Sequence, residues 1–267
     1  MKKYKGAVFF DIDGTLVDER QGIYLPTEKT LEAMKKLKEN GYLIGMATGR
    51  ARSYILDTGI DFDCYITCNG ALCEVNGVEV FNDYLKEEEL SEIVDYMDKN
   101  DVCYELEVDR SCFVPASSKE RIDEMMEHFH ITFEEGSVKT LTDLSGLKVN
   151  KIFAAFKDVD SLNKMKDEFK GRYSVLSHHS NPSADVGRST MSKAVGVLEV
   201  IKHFGIDIKN TYTFGDDGND VEMISVAGCG VAMTPCAPEL KEVADYVTCS
   251  VKDDGVYNAL LKLGLIE

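Results

Sequence analysis

The stretch Phe9–Glu19, FFDIDGTLVDE, decides how the chain folds. Val8, Phe9 and Phe10 read as the end of a strand buried on both faces, the pattern of a parallel sheet. Asp11 and Asp13 then fall where that strand leaves the sheet, and Gly14 lets the chain turn sharply. Two neighbouring carboxylates oppose each other's ionisation. The rest of the sequence is therefore expected to bring positive charge to this point.

Working outward, Leu31, Met34 and Leu37 recur at helical spacing over 27–39, with Thr27 as N-cap and Gly41 as stop signal. YLIGMATGR (42–50) is a second apolar strand running into a Thr-Gly-Arg turn, and CYITCNGA (64–71) is a third. Strand, helix and strand joined by glycine turns predict a Rossmann-like, doubly wound parallel α/β sheet. The character changes near Asp83. KEEELSEIVDYMDKN is an amphipathic helix with Leu90, Ile93, Val94 and Met97 on one face. CYELEVDRSCFVPA alternates like an antiparallel pair, followed by a helix around ERIDEMMEHF, a strand VNKIFAAF, a helix over 160–169 and a strand near YSVLS. After Gly187 the parallel pattern resumes with a helix carrying Ala194, Val197, Leu198 and Ile201, the strand of TYTFGDDGND, and CGVAM as final strand. The expected organisation is a core of residues 1–82 and 188–267, interrupted by an α+β insertion over 83–187.

Composition narrows the function classes. A hydrophobic share of 44% and a charged share of 29% over 267 residues describe an ordinary globular chain. The net charge of −17 argues against a general nucleic-acid binder or a protein of anionic membrane surfaces. The apolar run before Asp11 is only Ala7–Phe10, too short for a signal peptide, and no stretch approaches a membrane span. The eight cysteines include no C-x-x-C pair and no zinc-site spacing, so most of them read as buried free thiols in a cytoplasmic protein. Oligomeric state leaves no mark in the sequence.

In doubly wound sheets, ligands bind beyond the carboxyl ends of the strands. The chemically unusual residues fall there: Asp11 and Asp13, then Thr48, Gly49 and Arg50, then Asp216, Asp217 and Asp220. Lys193 opens a helix, whose positive end favours anions. Several carboxylates around one point call for a cation, and hard oxygen ligands without His or Cys favour Mg2+. A lysine, a threonine hydroxyl and backbone N–H groups beside such an ion form a site for a phosphoryl group.

DIDGT, TGR, the lysine of SK, and GDDGND resemble the four ordered motifs of the haloacid dehalogenase (HAD) superfamily of phosphohydrolases. The insertion, the ITCNGA stretch with Asn69, and the GD-x-x-ND form resemble its Cof-type members with an α+β (type IIB) cap. The resemblance implies a phosphatase of small phosphorylated metabolites, with sugar phosphates favoured. It implies that Asp11 attacks phosphorus and that Asp13 protonates the leaving oxygen and then activates water. Mg2+ would be held by Asp11, the backbone carbonyl of Asp13, and Asp216. Thr48, Gly49, Lys193 and Asn219 would bind phosphate, while Asn219 and Asp220 orient Lys193 or a metal-bound water. A phosphomutase is the neighbouring alternative and a non-catalytic phosphate sensor another. A receiver domain shares the acids, threonine and lysine but is much shorter. Asp185 and Ala194 stand where relatives often carry glutamate and glycine.

Some residues have simpler readings. Asp217 is a turn residue, and Arg50 pairs with a core carboxylate or contacts substrate. DxDG echoes a calcium loop without its later ligands. His178 and His179 point to opposite strand faces, so the two do not chelate one ion; one of them, or Asp185, could face a substrate.

Overall fold

The computed structural model describes residues 3–178 and 181–267; His179 lies outside the described residues. In chain order the strands are β1 (Gly6–Phe10), β2 (Tyr42–Ala47), β3 (Cys64–Thr67), β4 (Leu72–Val75), β5 (Val78–Asn82), β6 (Cys103–Val108), β7 (Ser111–Val114), β8 (Val138–Thr140), β9 (Lys151–Ala155), β10 (Tyr173–Ser177), β11 (Ser183–Arg188), β12 (Thr211–Gly215), β13 (Cys229–Ala232) and β14 (Tyr246–Val247). The α-helices are α1 (Glu28–Glu39), α2 (Glu87–Lys99), α3 (Lys119–His128), α4 (Val159–Phe169), α5 (Lys193–Phe204), α6 (Val221–Val226), α7 (Pro238–Val243) and α8 (Gly255–Lys262). The contacts divide the chain into two units. One comprises residues up to Gly49, Leu56–Phe81 and Ser192–Glu267; the other comprises Arg50–Ile55 and Asn82–Met191. Among the described residues no helix is long and apolar enough to cross a membrane.

The first unit is built on a sheet of order β14-β13-β12-β1-β2-β3-β4-β5. From β14 to β3 every pair is parallel. The central strand β1 is buried along its whole length, as its unbroken apolar run requires. Its register sets Phe10 opposite Phe214 on one side and Met46 on the other. Asp11, Thr48 and Asp216 therefore emerge near one another at the carboxyl edge. α1 begins where Thr27 accepts a hydrogen bond from the Thr30 N–H, as expected of its N-cap.

Three features depart from the parallel pattern read in the sequence. β4 pairs antiparallel with β3, and β5 extends that edge. CGVAM is not the final strand, because β14 follows it. Leu198 is 42% exposed, although Ala194, Val197 and Ile201 are buried as expected. Gly196 explains the rotation of α5: a Cβ there would lie 2.3 Å from Ile66 Cγ2 and 3.2 Å from Gly70 Cα. The helix backbone is pressed to the sheet on the Lys193–Gly196–Val197–Val200 side, which turns Leu198, two residues on, outward.

The second unit has its own sheet, β10-β11-β9-β6-β7-β8, antiparallel except for the β7–β8 pair. SADVGR, which carried no strand expectation, is β11, between β10 and β9. One face packs Tyr104, Leu106, Ile152, Ala154, Ala184 and Val186 with the apolar sides of α2 and α4. The other sets Phe153, Ala155 and Val114 against Ile122, Met125 and Met126 of α3. The period of two along each strand produces this division. The face that meets α3 also carries Glu105, Glu107, Lys151 and Asp185, all buried.

Their charges do not balance. Lys151 Nζ lies 2.7 Å from Asp185 Oδ1 and 3.1 Å from Glu107 Oε1. Burial works to raise Asp185, but Lys151 and His178 outweigh it and hold the carboxyl low. Among the described residues, neither Glu105 oxygen has a hydrogen-bond partner. Burial, and then Glu107, push this carboxyl well above its ordinary range. Glu105 thus keeps a proton that the unfolded chain releases above an ordinary value of 4.5. Because the folded state binds more protons, stability falls as pH rises above that value, until the folded group itself titrates. Glu105→Gln removes this penalty. Its melting temperature is expected to gain on wild type steadily from about pH 5 to about pH 8. A difference that stays constant or narrows across that range would contradict the assignment.

Candidate active site

The site is assembled from the turns that follow β1, β2 and β12 and from the first residue of α5. Lys193 is 1% exposed, and its Nζ stands 2.7 Å from Asp11 Oδ1 and 2.7 Å from Asp220 Oδ1. The second oxygen of Asp220 accepts the N–H groups of Asp216 at 3.0 Å and Asp217 at 3.1 Å. One carboxylate thereby orients both the lysine and the loop carrying Asp216. Asp217 caps its own turn by accepting the Gly218 N–H at 2.7 Å. Thr48 is buried, donates its N–H to the Ile66 carbonyl at 2.8 Å and accepts the Asn69 N–H at 3.1 Å. The Asn219 side-chain amide donates to Asn69 Oδ1 at 3.0 Å, so it is directed at Asn69.

The charges are unequal here too. Oxygens of Asp11, Asp216 and Asp220 all lie within 4.8 Å of one another. Asp11 is raised to about 7: burial pushes it up most, Lys193 pulls against that, and Asp220 and Asp13 push it up further. Asp216 rises to about 9, through burial first and then through Asp11 and Asp220. Burial alone would lower Lys193, but Asp11 and Asp220 outweigh it and raise it, which keeps the ammonium charged. Three buried carboxylates share one cation, and both oxygens of Asp220 are already engaged. Asp11 and Asp216 are the carboxylates left to hold a further positive charge, and their oxygens are hard ligands. The residues fit a divalent cation of the Mg2+ type.

The remaining candidates are distributed as follows. The side chain of Asp13 is exposed and stands outside the carboxylate cluster. Gly49 ends its segment of the first unit, while Arg50 is counted with the second. Asp185 and His178 belong to the second unit, with His178 Nε2 at 3.5 Å from Asp185 Oδ1 and its ring stacked on Phe153 at 5.5 Å. Sequence reasoning missed Thr15, whose hydroxyl donates to Asp216 Oδ1 at 3.3 Å. The signal was present in DIDGT, where a polar residue follows the turn glycine and is nonetheless buried.

A doubly wound sheet with acids, a threonine and a lysine at its carboxyl edge is built to handle a phosphoryl group, and comparison with known proteins gives the class. A family model of haloacid dehalogenase-like hydrolases matches residues 8–260, and the chain belongs to that family. It is 30% identical to YkrA of Bacillus subtilis (strain 168) over 272 residues, covering 97% of this chain and 98% of that protein. It is 24% identical to the 5-amino-6-(5-phospho-D-ribitylamino)uracil phosphatase YwtE of the same organism, over 93% of this chain and 94% of YwtE. Among solved structures, the HAD subclass IIB sugar phosphatase BT4131 superposes with a TM-score of 0.83 at 28% identity, covering 98% of this chain and 100% of that one. BT1666 from Bacteroides thetaiotaomicron superposes with a TM-score of 0.82 at 26% identity, covering 99% and 97%. The protein is a HAD-type phosphatase, a phosphoric monoester hydrolase.

Gly14 tests how tightly the turn after β1 is built. Its φ is +88°, and a Cβ there would lie 2.1 Å from Asp216 Oδ2. Gly14→Ala is expected to cost at least about 1 kcal/mol of stability through backbone strain and to displace the Asp216 carboxylate. Denaturant melts and phosphate-release assays on the folded variant check this. Retention of full activity would show that the turn tolerates the displacement.

Proposed function

We propose that the protein is a Mg2+-dependent phosphatase of small phosphorylated metabolites, sugar phosphates foremost, working through an aspartyl-phosphate on Asp11. The observation that carries this reading is the Lys193 ammonium 2.7 Å from Asp11, with Asp216 beside them in the same acidic cluster. Asp11, Asp216 and the backbone carbonyl of Asp13 would hold Mg2+, which when bound supplies the charge that lets an anionic carboxylate meet an anionic phosphoryl group.

In the proposed reaction an Asp11 oxygen forms a bond to phosphorus as the bond from phosphorus to the leaving oxygen breaks. Asp13, protonated at the outset, gives its proton to that leaving oxygen. It then takes a proton from the water whose oxygen attacks the aspartyl-phosphate, releasing inorganic phosphate and restoring Asp11. Such assistance is worth about 10²–10⁴ in rate. The exposure of the Asp13 side chain suits a group that must meet both leaving oxygen and water. Lys193, the Thr48 hydroxyl, the Gly49 N–H and Asn219 would neutralise and orient the phosphoryl oxygens. The second unit would serve as the α+β cap that excludes water and selects the leaving group. The preference for sugar phosphates draws on likeness to BT4131, a sugar phosphatase matched over nearly the whole chain.

Phosphate release from a panel of metabolite phosphates tests the reading. Wild type with Mg2+ is expected to release inorganic phosphate, and Asp11→Asn to lose at least about a thousandfold in kcat. EDTA should abolish turnover and added Mg2+ should restore it. Equal release from both proteins would overturn the assignment of Asp11. Isomerised sugar phosphate in place of free phosphate would indicate a mutase. Mg2+ should also raise the melting temperature, and more so at pH above about 7, where fewer protons need to leave Asp11 and Asp216.

A further inference from the structure

Three successive residues between β3 and β4 stand in the left-handed region: Cys68 at φ +51°, Asn69 at +53° and Gly70 at +95°. Residues with a side chain rarely adopt this conformation, and then singly rather than in runs. The hairpin itself does not call for it. Thr67 pairs with Leu72 across the two strands, and a loop of that length is ordinarily built around a type I turn.

The left-handed run brings the turn against three other loops of the same unit. The Asn69 N–H donates to the Thr48 carbonyl at 3.1 Å. Gly70 lies at the entry to α5, where a Cβ on it would meet the Ser192 carbonyl oxygen at 2.0 Å and the Lys193 nitrogen at 3.2 Å. The Asn69 carboxamide lies beside Gly49, whose Cβ, if it had one, would stand 3.1 Å from Asn69 Oδ1. The same Oδ1 accepts the Asn219 side-chain amide at 3.0 Å. The turn thus borders all four proposed phosphate ligands: Thr48, Gly49, Lys193 and Asn219.

Burial separates the roles of the two asparagines. Asn69 is 8% exposed, whereas Asn219 is half-buried and is the one open to a ligand. A carboxamide can present either its oxygen or its NH2, but a phosphoryl oxygen can only accept. Because Asn69 Oδ1 accepts, it selects the NH2 end of Asn219 for the side that borders Gly49. That nitrogen carries two N–H groups; one is engaged with Asn69, and the other is the donor a phosphoryl oxygen needs. Asp220, next in the chain, holds Lys193 Nζ at 2.7 Å, so one turn sets both the amide and the ammonium.

We propose that Asn69 is a positioning residue for the phosphatase reaction: its side-chain oxygen orients the Asn219 carboxamide so that an N–H faces the phosphoryl group before substrate arrives. This inference rests on the phosphatase reading above. A donor fixed beforehand loses little freedom on binding. Asparagine suits the position twice, since it offers the acceptor and tolerates the left-handed backbone.

The test is a double-mutant cycle on the full-length enzyme, measured with its best phosphate ester. Asn69→Gly removes the carboxamide and leaves the left-handed backbone accessible. Its kcat/KM should fall about tenfold, and the inhibition constant of inorganic phosphate should rise by a similar factor, as for a weakened hydrogen bond to a charged group. Partial unfolding would instead lower apparent kcat and leave that inhibition constant alone. In an Asn219→Ala background, Asn69→Gly should add no further loss, because its effect passes through Asn219. Thr67→Val is the control: it deletes another side-chain bond of the same hairpin, to the Leu72 carbonyl at 3.4 Å, and should leave both constants unchanged. A second measurement needs no variant to fold. In ligand-free wild type the Asn219 side-chain amide should be as rigid as ordered backbone, with an NMR order parameter of about 0.85. Unchanged constants in folded Asn69→Gly, equal effects in both Asn219 backgrounds, or an order parameter below about 0.6 would overturn the proposal alone. Absence of phosphate release from wild type would overturn the function reading and this inference with it.

Discussion

The buried ammonium of Lys193 is the constraint on which the first unit's site depends. It sits at the start of α5, 1% exposed, with one carboxylate on either side. Its removal would leave Asp11 and Asp220 buried without their compensating charge, far costlier than loss of a surface pair. Asp220 cannot shift to relieve that, because its other oxygen holds the amides of Asp216 and Asp217. The position of Lys193 is set in turn by the close approach of α5 to the sheet at Gly196. An apolar packing decision, the absence of a side chain at one helical position, thus determines where the positive charge stands. The same decision turns Leu198 to solvent.

The two units treat surplus negative charge differently, and the contrast follows from their ligands. In the first unit Asp11 and Asp216 are pushed up to about 7 and about 9, with carboxylate oxygens close enough to share one ion. In the second, Lys151 and His178 keep Asp185 ionised, and Glu105, without a hydrogen-bond partner among the described residues, is held toward its protonated form. A buried acid has three ways of becoming tolerable: a fixed cation, a proton or a bound ion. Lys193 and Lys151 provide the first, Glu105 takes the second, and the Asp11–Asp216 pair suits the third. Proton and ion differ in consequence. A proton is lost as pH rises, whereas an ion that replaces protons binds better as pH rises.

Much of this was legible in the sequence because the relevant residues lie in strands and the turns that end them. An unbroken apolar run such as Val8–Phe10 announces a central parallel strand, and the polar residues after it are placed by sheet register. The amphipathic face of α2 was legible for a similar reason: Leu90, Ile93, Val94 and Met97 are all buried, as their spacing predicts. The misses share a different cause. β11 is built from SADVGR, where a polar and a glycine-bearing stretch is made a strand by its neighbours β9 and β10. The exposure of Leu198 depends on a glycine two residues away meeting Ile66, a contact that helical periodicity does not encode. Thr15 reads as turn chemistry until Asp216, distant in sequence, arrives beside it. Local pattern is readable; tertiary override is not.

The 50–55 segment shows the same limit at the level of whole units. A division by sequence continuity leaves these residues with the strand that precedes them, since no composition shift separates TGR from ARSYIL. The contacts place them with the other unit because a tyrosine hydroxyl meets a glutamate and a lysine more than fifty residues away in sequence. Sheet register constrains the residues that follow β1, β2 and β12, which is why a phosphate-handling set can persist as short motifs. No such register governs the segment beyond Gly49. Its conformation is written in side chains of the second unit. Tyr54, Glu107 and Lys151 hold that segment from within the second unit, through one hydroxyl that a glutamate accepts from and a lysine donates to.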